Sequence, residues 1–172
     1  MNWTLIFVLI ALVIYIVYNI VSLKMFGVPN SLSETFYLFK EKKEWMKYLF
    51  PIMMVSLVVF LMPAWLEISV GSPFQFLSFL AAAGIMFTGA APAFLSSSME
   101  KTVHTTGAIC AAIFALLWVI LVSKLWWTIP LWLVTLGLTM WVTKTIKSSY
   151  IYWLETIAFM STFTSIIIYY FS

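Results

Sequence analysis

GIMFTGAAPAFLSSSMEKTVHTTGAICAAIFA, residues 84–115, decides the fold, because it reads as the turn between two apolar helices and holds the chain's one histidine near a carboxylate. Pro92 has no amide proton and disfavours helix in the residue before it, so the apolar helix beginning near Phe74 should end or kink around Ala91. Ser97 stands three residues before Glu100. That is the capping-box spacing, in which each side chain satisfies an orphan amide of a first helical turn. A helix starting at about Ser98 puts Glu100, His104, Gly107, Ala111 and Ala115 on one face. Small residues at such intervals let another backbone approach closely in lipid, so this stripe is expected to face inward and to carry Glu100 and His104 with it.

Outward from the turn the chain is apolar almost throughout. Of its 172 residues 64% are hydrophobic and 9% charged, with mean hydropathy +1.07. Soluble domains hold about 45–50% apolar and about 25% charged residues, so the expectation is an all-α, polytopic integral membrane bundle. Six windows reach the length of about 20 residues that a crossing needs. They fall at about 3–23, 47–66, 74–91, 99–123, 125–143 and 149–171, and residues 1–172 form a single membrane domain of six transmembrane helices. The first window lacks a basic leader and exceeds the roughly 7–15 apolar residues of a signal-peptide core, so it is read as a retained helix. Short connections make consecutive helices antiparallel neighbours. Pro51 and Pro130 interrupt one helix in each half, too slight a symmetry to argue an inverted repeat.

Charge gives an orientation. The net charge of +3 comes from nine lysines and six glutamates, with no arginine or aspartate. With the amino terminus outside, Lys24, Lys40, Lys42, Lys43, Lys47, Lys101, Lys144 and Lys147 fall on the cytoplasmic side and only Lys124 outside. The expectation is therefore a multi-pass protein of the cell inner (plasma) membrane with both termini outside. Trp3, Trp65, Trp126 and Trp127 fit an outer aromatic belt, Trp45, Trp141 and Trp153 an inner one, and Trp118 and Trp132 lie deeper as packing residues. Lysines so few and scattered argue against a nucleic-acid partner.

The long first loop has its own pattern. Pro29 stops the first helix, Ser31 and Glu34 repeat the capping-box spacing, and residues 31–45 read as an amphipathic helix lying in the interface, with Leu32, Phe36 and Phe39 on one side. Lys40, Lys43 and Lys47 are candidates for holding anionic lipid headgroups, although lysines beside a span more often act as topology anchors.

Ionisable groups within a membrane are costly enough to be functional hypotheses. Glu155 lies about two turns inside the last helix, followed by the hydroxyls of Ser161, Thr162, Thr164 and Ser165. Glu67 reads as an interfacial charge. Tyr15, Tyr18, Asn19 and Ser22 make a polar stripe at a similar depth, so Asn19, Glu100, His104 and Glu155 form a candidate polar cluster. Such a cluster also clips helices together for about 0.6–2 kcal/mol per contact, which is the preferred reading. No catalytic residues are assigned, and no metal or cofactor is expected. One histidine, one cysteine and no aspartate cannot build a three-ligand zinc site, and Cys110 reads as a small buried hydrophobe. Ser31 or Ser33 with His104 is the one nucleophile–base pairing available, and it requires an approach of about 3 Å. Helix capping already accounts for both serines.

The order Gly89, Pro92, a polar turn, then His104, Gly107 and Ala108 resembles the G-x-x-P…H-x-x-G-A segment of uncharacterised six-helix bacterial membrane proteins and, more distantly, the Frag/DRAM/Sfk group. The resemblance covers about 20 residues and implies six helices, a part for His104, and a role in lipid handling or membrane organisation. The functional expectation is non-enzymatic binding or organisation of membrane lipids, of a membrane protein partner or of a second copy of the chain. A small proton-coupled transporter using Glu155 or His104 is the alternative, and an intramembrane lipid-modifying enzyme with His104 as base comes third.

Overall fold

The computed structural model describes residues 3–145 and 148–172, so Lys147 lies outside the described residues. Seven α-helices follow in order: α1 (Trp3–Phe26), α2 (Thr35–Lys42), α3 (Leu49–Ile68), α4 (Phe76–Ala90), α5 (Ser98–Leu121), α6 (Thr128–Thr143) and α7 (Tyr150–Phe171), with a 3₁₀ turn at Glu44–Tyr48 leading into α3. Four helical runs, α1, Glu44–Ile68, α5 and α7, are long and apolar enough to cross a membrane. α4 and α6 are apolar but have 15 and 16 residues, shorter than the windows expected at 74–91 and 125–143. The missing turns have local causes. The turn after α3, with Gly71 at φ +77, and Pro92 bound α4, while the left-handed residues Lys124 and Lys144 precede and end α6. Pro51 and Pro130 do not interrupt their helices. Each sits in a first turn, where its missing N–H has no intrahelical partner to lose.

The loop helix is shorter than expected and differently placed. Ser31 Oγ accepts the Glu34 amide, and Glu34 turns back to the amide and side chain of Asn30, so residues 31–34 form a cap rather than helix. Lys43 is extended (φ −154°, ψ 134°), which ends α2. Leu32, Phe36 and Phe39 share one side as the spacing requires, but that side is buried in the protein instead of lying on lipid. Tyr18 and Phe26 of α1 stack against Phe39, and Tyr18 hydrogen-bonds Thr35. Burying three large apolar side chains stabilises by several kcal/mol more than leaving them at a surface, which explains why the segment folds inward.

The α4–α5 pair is the tightest in the bundle. A Cβ added to Gly84 would fall 2.4 Å from Ala111 N and 2.6 Å from Gly107 O, and one added to Gly107 would meet Gly84 O at 2.9 Å. The small face of α5 therefore points where the sequence placed it, with His104, Gly107 and Ala115 buried. α1 packs between α3 and α7, antiparallel to α7 through Tyr15 to Thr156 and Tyr152 to Asn19. α6 leans chiefly on α7 and leaves Leu131, Val134, Leu138 and Trp141 exposed. Two aromatic-belt assignments change, since Trp65 and Trp153 are core residues at 1% and 7% exposure.

Hydrogen bonds fix which helix ends lie together. At one end the loop after α1 meets the starts of α5 and α7 and the finish of α4, through His104 with Ser33 and with Thr88, and Tyr152 N with Asn30 O. At the opposite end Trp118 of α5 donates to Ser69 beyond α3, and Tyr170 of α7 donates to Glu67. The lysines divide accordingly: of the eight described, Lys124 alone lies at the second end.

Candidate functional site

The site begins with a helix end. In an α-helix the carbonyl of residue i accepts from the amide of i+4, so Pro92, lacking that hydrogen, leaves the Thr88 carbonyl without its donor. Ala91, past the last turn, has a free carbonyl for the same geometric reason. His104 Nδ1 lies 3.1 Å from Thr88 O and 3.0 Å from Ala91 O. Two carbonyls can only accept, so Nδ1 carries the ring proton and Nε2 is left as an acceptor. Ser33 Oγ is 2.8 Å from Nε2 and donates to it. Phe94 stacks on the imidazole at 4.6 Å and 24°, holding the ring in plane with its partners.

Next to Ser33 the second anchor is a carboxylate. Leu32 N donates to Glu155 Oε2 at 2.6 Å, so adjacent loop residues are gripped from α5 by an imidazole and from α7 by a carboxylate. Further bonds hold the same loop: Tyr152 N to Asn30 O at 3.1 Å, and Leu95 N to Tyr37 Oη at 2.7 Å. Of the four polar groups singled out in the sequence, only His104 and Glu155 thus meet on the loop, and they do so through its residues and not through each other. Asn19 belongs to the α1–α7 contact, donating to Tyr15 O and accepting from Tyr152. Glu100 stands apart, bonded to Ser96 at the start of α5, where Ser97 Oγ caps its amide. Lys40 and Lys43 are exposed, and Lys47 pairs with Glu44.

Beyond Leu32 and Glu155 opens a crevice between α3, α4, α5 and α7. It encloses about 550 Å³ of empty space including its mouth, and it is narrow. Met54, Trp65, Ala111, Ala112, Phe159 and Thr162 are among its walls, and Glu155 is the one ionisable group lining it among the described residues. From Met54 to Trp65 the wall rises eleven residues along α3, about 16 Å at 1.5 Å per residue. Trp65 contributes a buried indole N–H that has no hydrogen-bond partner among the described residues. Sequence reasoning missed this crevice. Its signal was the run of alanines at 108, 111, 112 and 115, whose small side chains leave space unless a neighbouring residue fills it.

Chemically, Ser33 and His104 have the donor–acceptor order of a nucleophile and its base, without a carboxylate behind the imidazole. They are also sealed, at 3% and 5% exposure. Among the described residues no cluster of three potential metal ligands occurs. Comparison with protein-family models, with curated proteins and with solved structures found no match.

Proposed function

We propose that the protein binds a membrane lipid or another chain-bearing amphiphile, with the chain in the crevice and the loop end of the bundle at the cytoplasmic face. The observation that carries this reading is a long, narrow, apolar slot with one acidic group at its loop end. Ligand sites share that plan, apolar walls with a few placed polar groups that set orientation. The lysine asymmetry supports the orientation, with both termini outside a plasma membrane, by the bias of lysine toward cytoplasmic segments. Native mass spectrometry of the detergent-purified protein tests it. A co-purifying lipid is expected in the wild type, and Ala112→Phe, which fills the wall, should reduce its occupancy several-fold. Equal occupancy in the two proteins would remove the crevice from the reading.

A second reading rests on the Ser33–His104 pair at 2.8 Å. If the loop lifts, Ser33 Oγ can attack an ester carbonyl while its proton passes to His104 Nε2 and then to the departing alcohol, leaving an acyl group on Ser33. Labelling by a fluorophosphonate that Ser33→Ala abolishes would favour this activity. Absence of labelling on Ser33 with the lipid-binding result intact leaves the first reading alone.

A further inference from the structure

The ligand's headgroup can be read from the charge that faces it, an inference that rests on the lipid-binding reading above. Glu155 Oε2 is taken by the Leu32 amide, while Oε1 has no hydrogen-bond partner among the described residues. No described lysine lines the crevice, so no protein cation faces the carboxylate. An unpaired charge in an apolar site is expensive and is relieved either by a proton or by a counter-charge brought close, and an ammonium ligand supplies the second. A phosphate or carboxylate headgroup would add a like charge, and a hydroxyl would leave the negative charge uncompensated. The apolar walls of alanine, phenylalanine and methionine suit an alkyl chain.

We propose that the crevice takes a single-chain amine: an unbranched alkyl chain along the alanine wall, with its ammonium group against Glu155 Oε1. A chain extended over the roughly 16 Å from Met54 to Trp65 occupies about half of a hydrocarbon core about 30 Å thick, and its tail passes Leu61 toward the Trp65 ring. The Glu155–Leu32 bond then sits directly beside the headgroup, so occupancy of the slot and the grip on the first loop share one carboxylate.

Titration of the purified full-length protein with dodecylamine, dodecanol and dodecanoate, followed by native mass spectrometry in an uncharged detergent, tests this. One dodecylamine per chain is expected, bound at least tenfold more tightly than dodecanol, with dodecanoate weakest. Glu155→Gln keeps an acceptor for the Leu32 amide and should lose the tenfold preference while still holding dodecanol. A wild-type measurement runs beside it: dodecylamine should protect Glu155 from a hydrophobic carbodiimide, and dodecanoate should not. Dodecanoate binding as tightly as the amine, an undiminished preference in Glu155→Gln, or absence of protection would each overturn the amine assignment. Ala112→Phe separates the two readings. If it blocks all three chains and no charge preference exists, only the headgroup inference fails; if it blocks none, lipid binding in the crevice fails with it.

Discussion

Thr88 carries a carbonyl that its own helix cannot use, and one imidazole from the next helix supplies the donor. A buried acceptor left unpaired costs about 1–3 kcal/mol, so His104→Ala should lower stability by at least that amount, with a further loss for the space vacated beside Phe94. Part of that loss should depend on Pro92. Restoring an amide in Pro92→Ala gives Thr88 O an intrahelical donor, so His104→Ala should cost less in the Pro92→Ala background by about 1 kcal/mol, measured by thermal unfolding in detergent as a double-mutant cycle. Identical losses in both backgrounds would show that the histidine does not substitute for the proline's missing proton. Ser33→Ala, which leaves Nε2 without its donor, should cost about 1–2 kcal/mol and make the Asn30–Thr35 segment more open to protease. The inward position of His104 was legible from its place on the Gly107–Ala115 face. Its acceptor was legible in principle from Pro92, four residues beyond Thr88. Ser33 was legible only as one of two serines able to pair with His104, because a contact between residues 71 apart leaves no local pattern to choose it over Ser31, which turns out to hold the capping role.

At the scale of helices, the stripe of small residues and the apolar side of the loop segment were both visible as periodicities, yet only the first predicted its surroundings correctly, as a closely approaching backbone. Glycine and alanine at helical spacing demand a close neighbour, and α4 presents Gly84 to Gly107. The Leu32, Phe36 and Phe39 face demands only an apolar surface. Lipid and protein interior satisfy that equally, so periodicity could not choose between them, and the choice fell to Tyr18 and Phe26. Gly84→Leu should separate α4 from α5 and destabilise by more than 3 kcal/mol, because its Cβ meets backbone atoms that cannot swing aside. Gly137→Ala on α6 has open space around the new methyl and gains helix propensity, so it should be neutral or stabilising by up to about 1 kcal/mol. The same thermal assay reads both, and a Gly84→Leu protein as stable as the wild type would contradict the close approach. α6 lost residues 125–127 relative to its expected span, at the end that follows Lys124, which adopts φ 58°, a conformation that lysine gives no sequence warning of.

The number of crossings is a question of connectivity for the whole molecule. α4 and α6 are about 22 and 24 Å long at 1.5 Å per residue, less than a hydrocarbon core of about 30 Å, and by length alone neither qualifies as a span. Their neighbours constrain them more strongly. α3 finishes at the end marked by Ser69 and Glu67, whereas α5 starts at the opposite end, where His104 meets Ser33. The chain between them, α4 with its flanking turns, must travel from one end to the other. The same holds for α6, since α5 finishes beside Ser69 and α7 starts beside Asn30. If the four long helices cross the bilayer, the two short ones cross it too, and the mismatch of several ångströms is taken up by the turns, by protein neighbours or by local thinning. The proposed topology then has even parity: six crossings, both termini on one face, and the lysine-rich end on the other. In a background with Cys110→Ser, a membrane-impermeant maleimide applied to intact cells should label Ser172→Cys and Ser72→Cys but reach Lys43→Cys and Ser96→Cys only after permeabilisation. Labelling of Ser96→Cys from outside would mean that α4 does not cross. Labelling of Lys43→Cys with protection of Ser172→Cys would keep six crossings and invert the protein, placing the Glu155 end of the crevice in the outer leaflet.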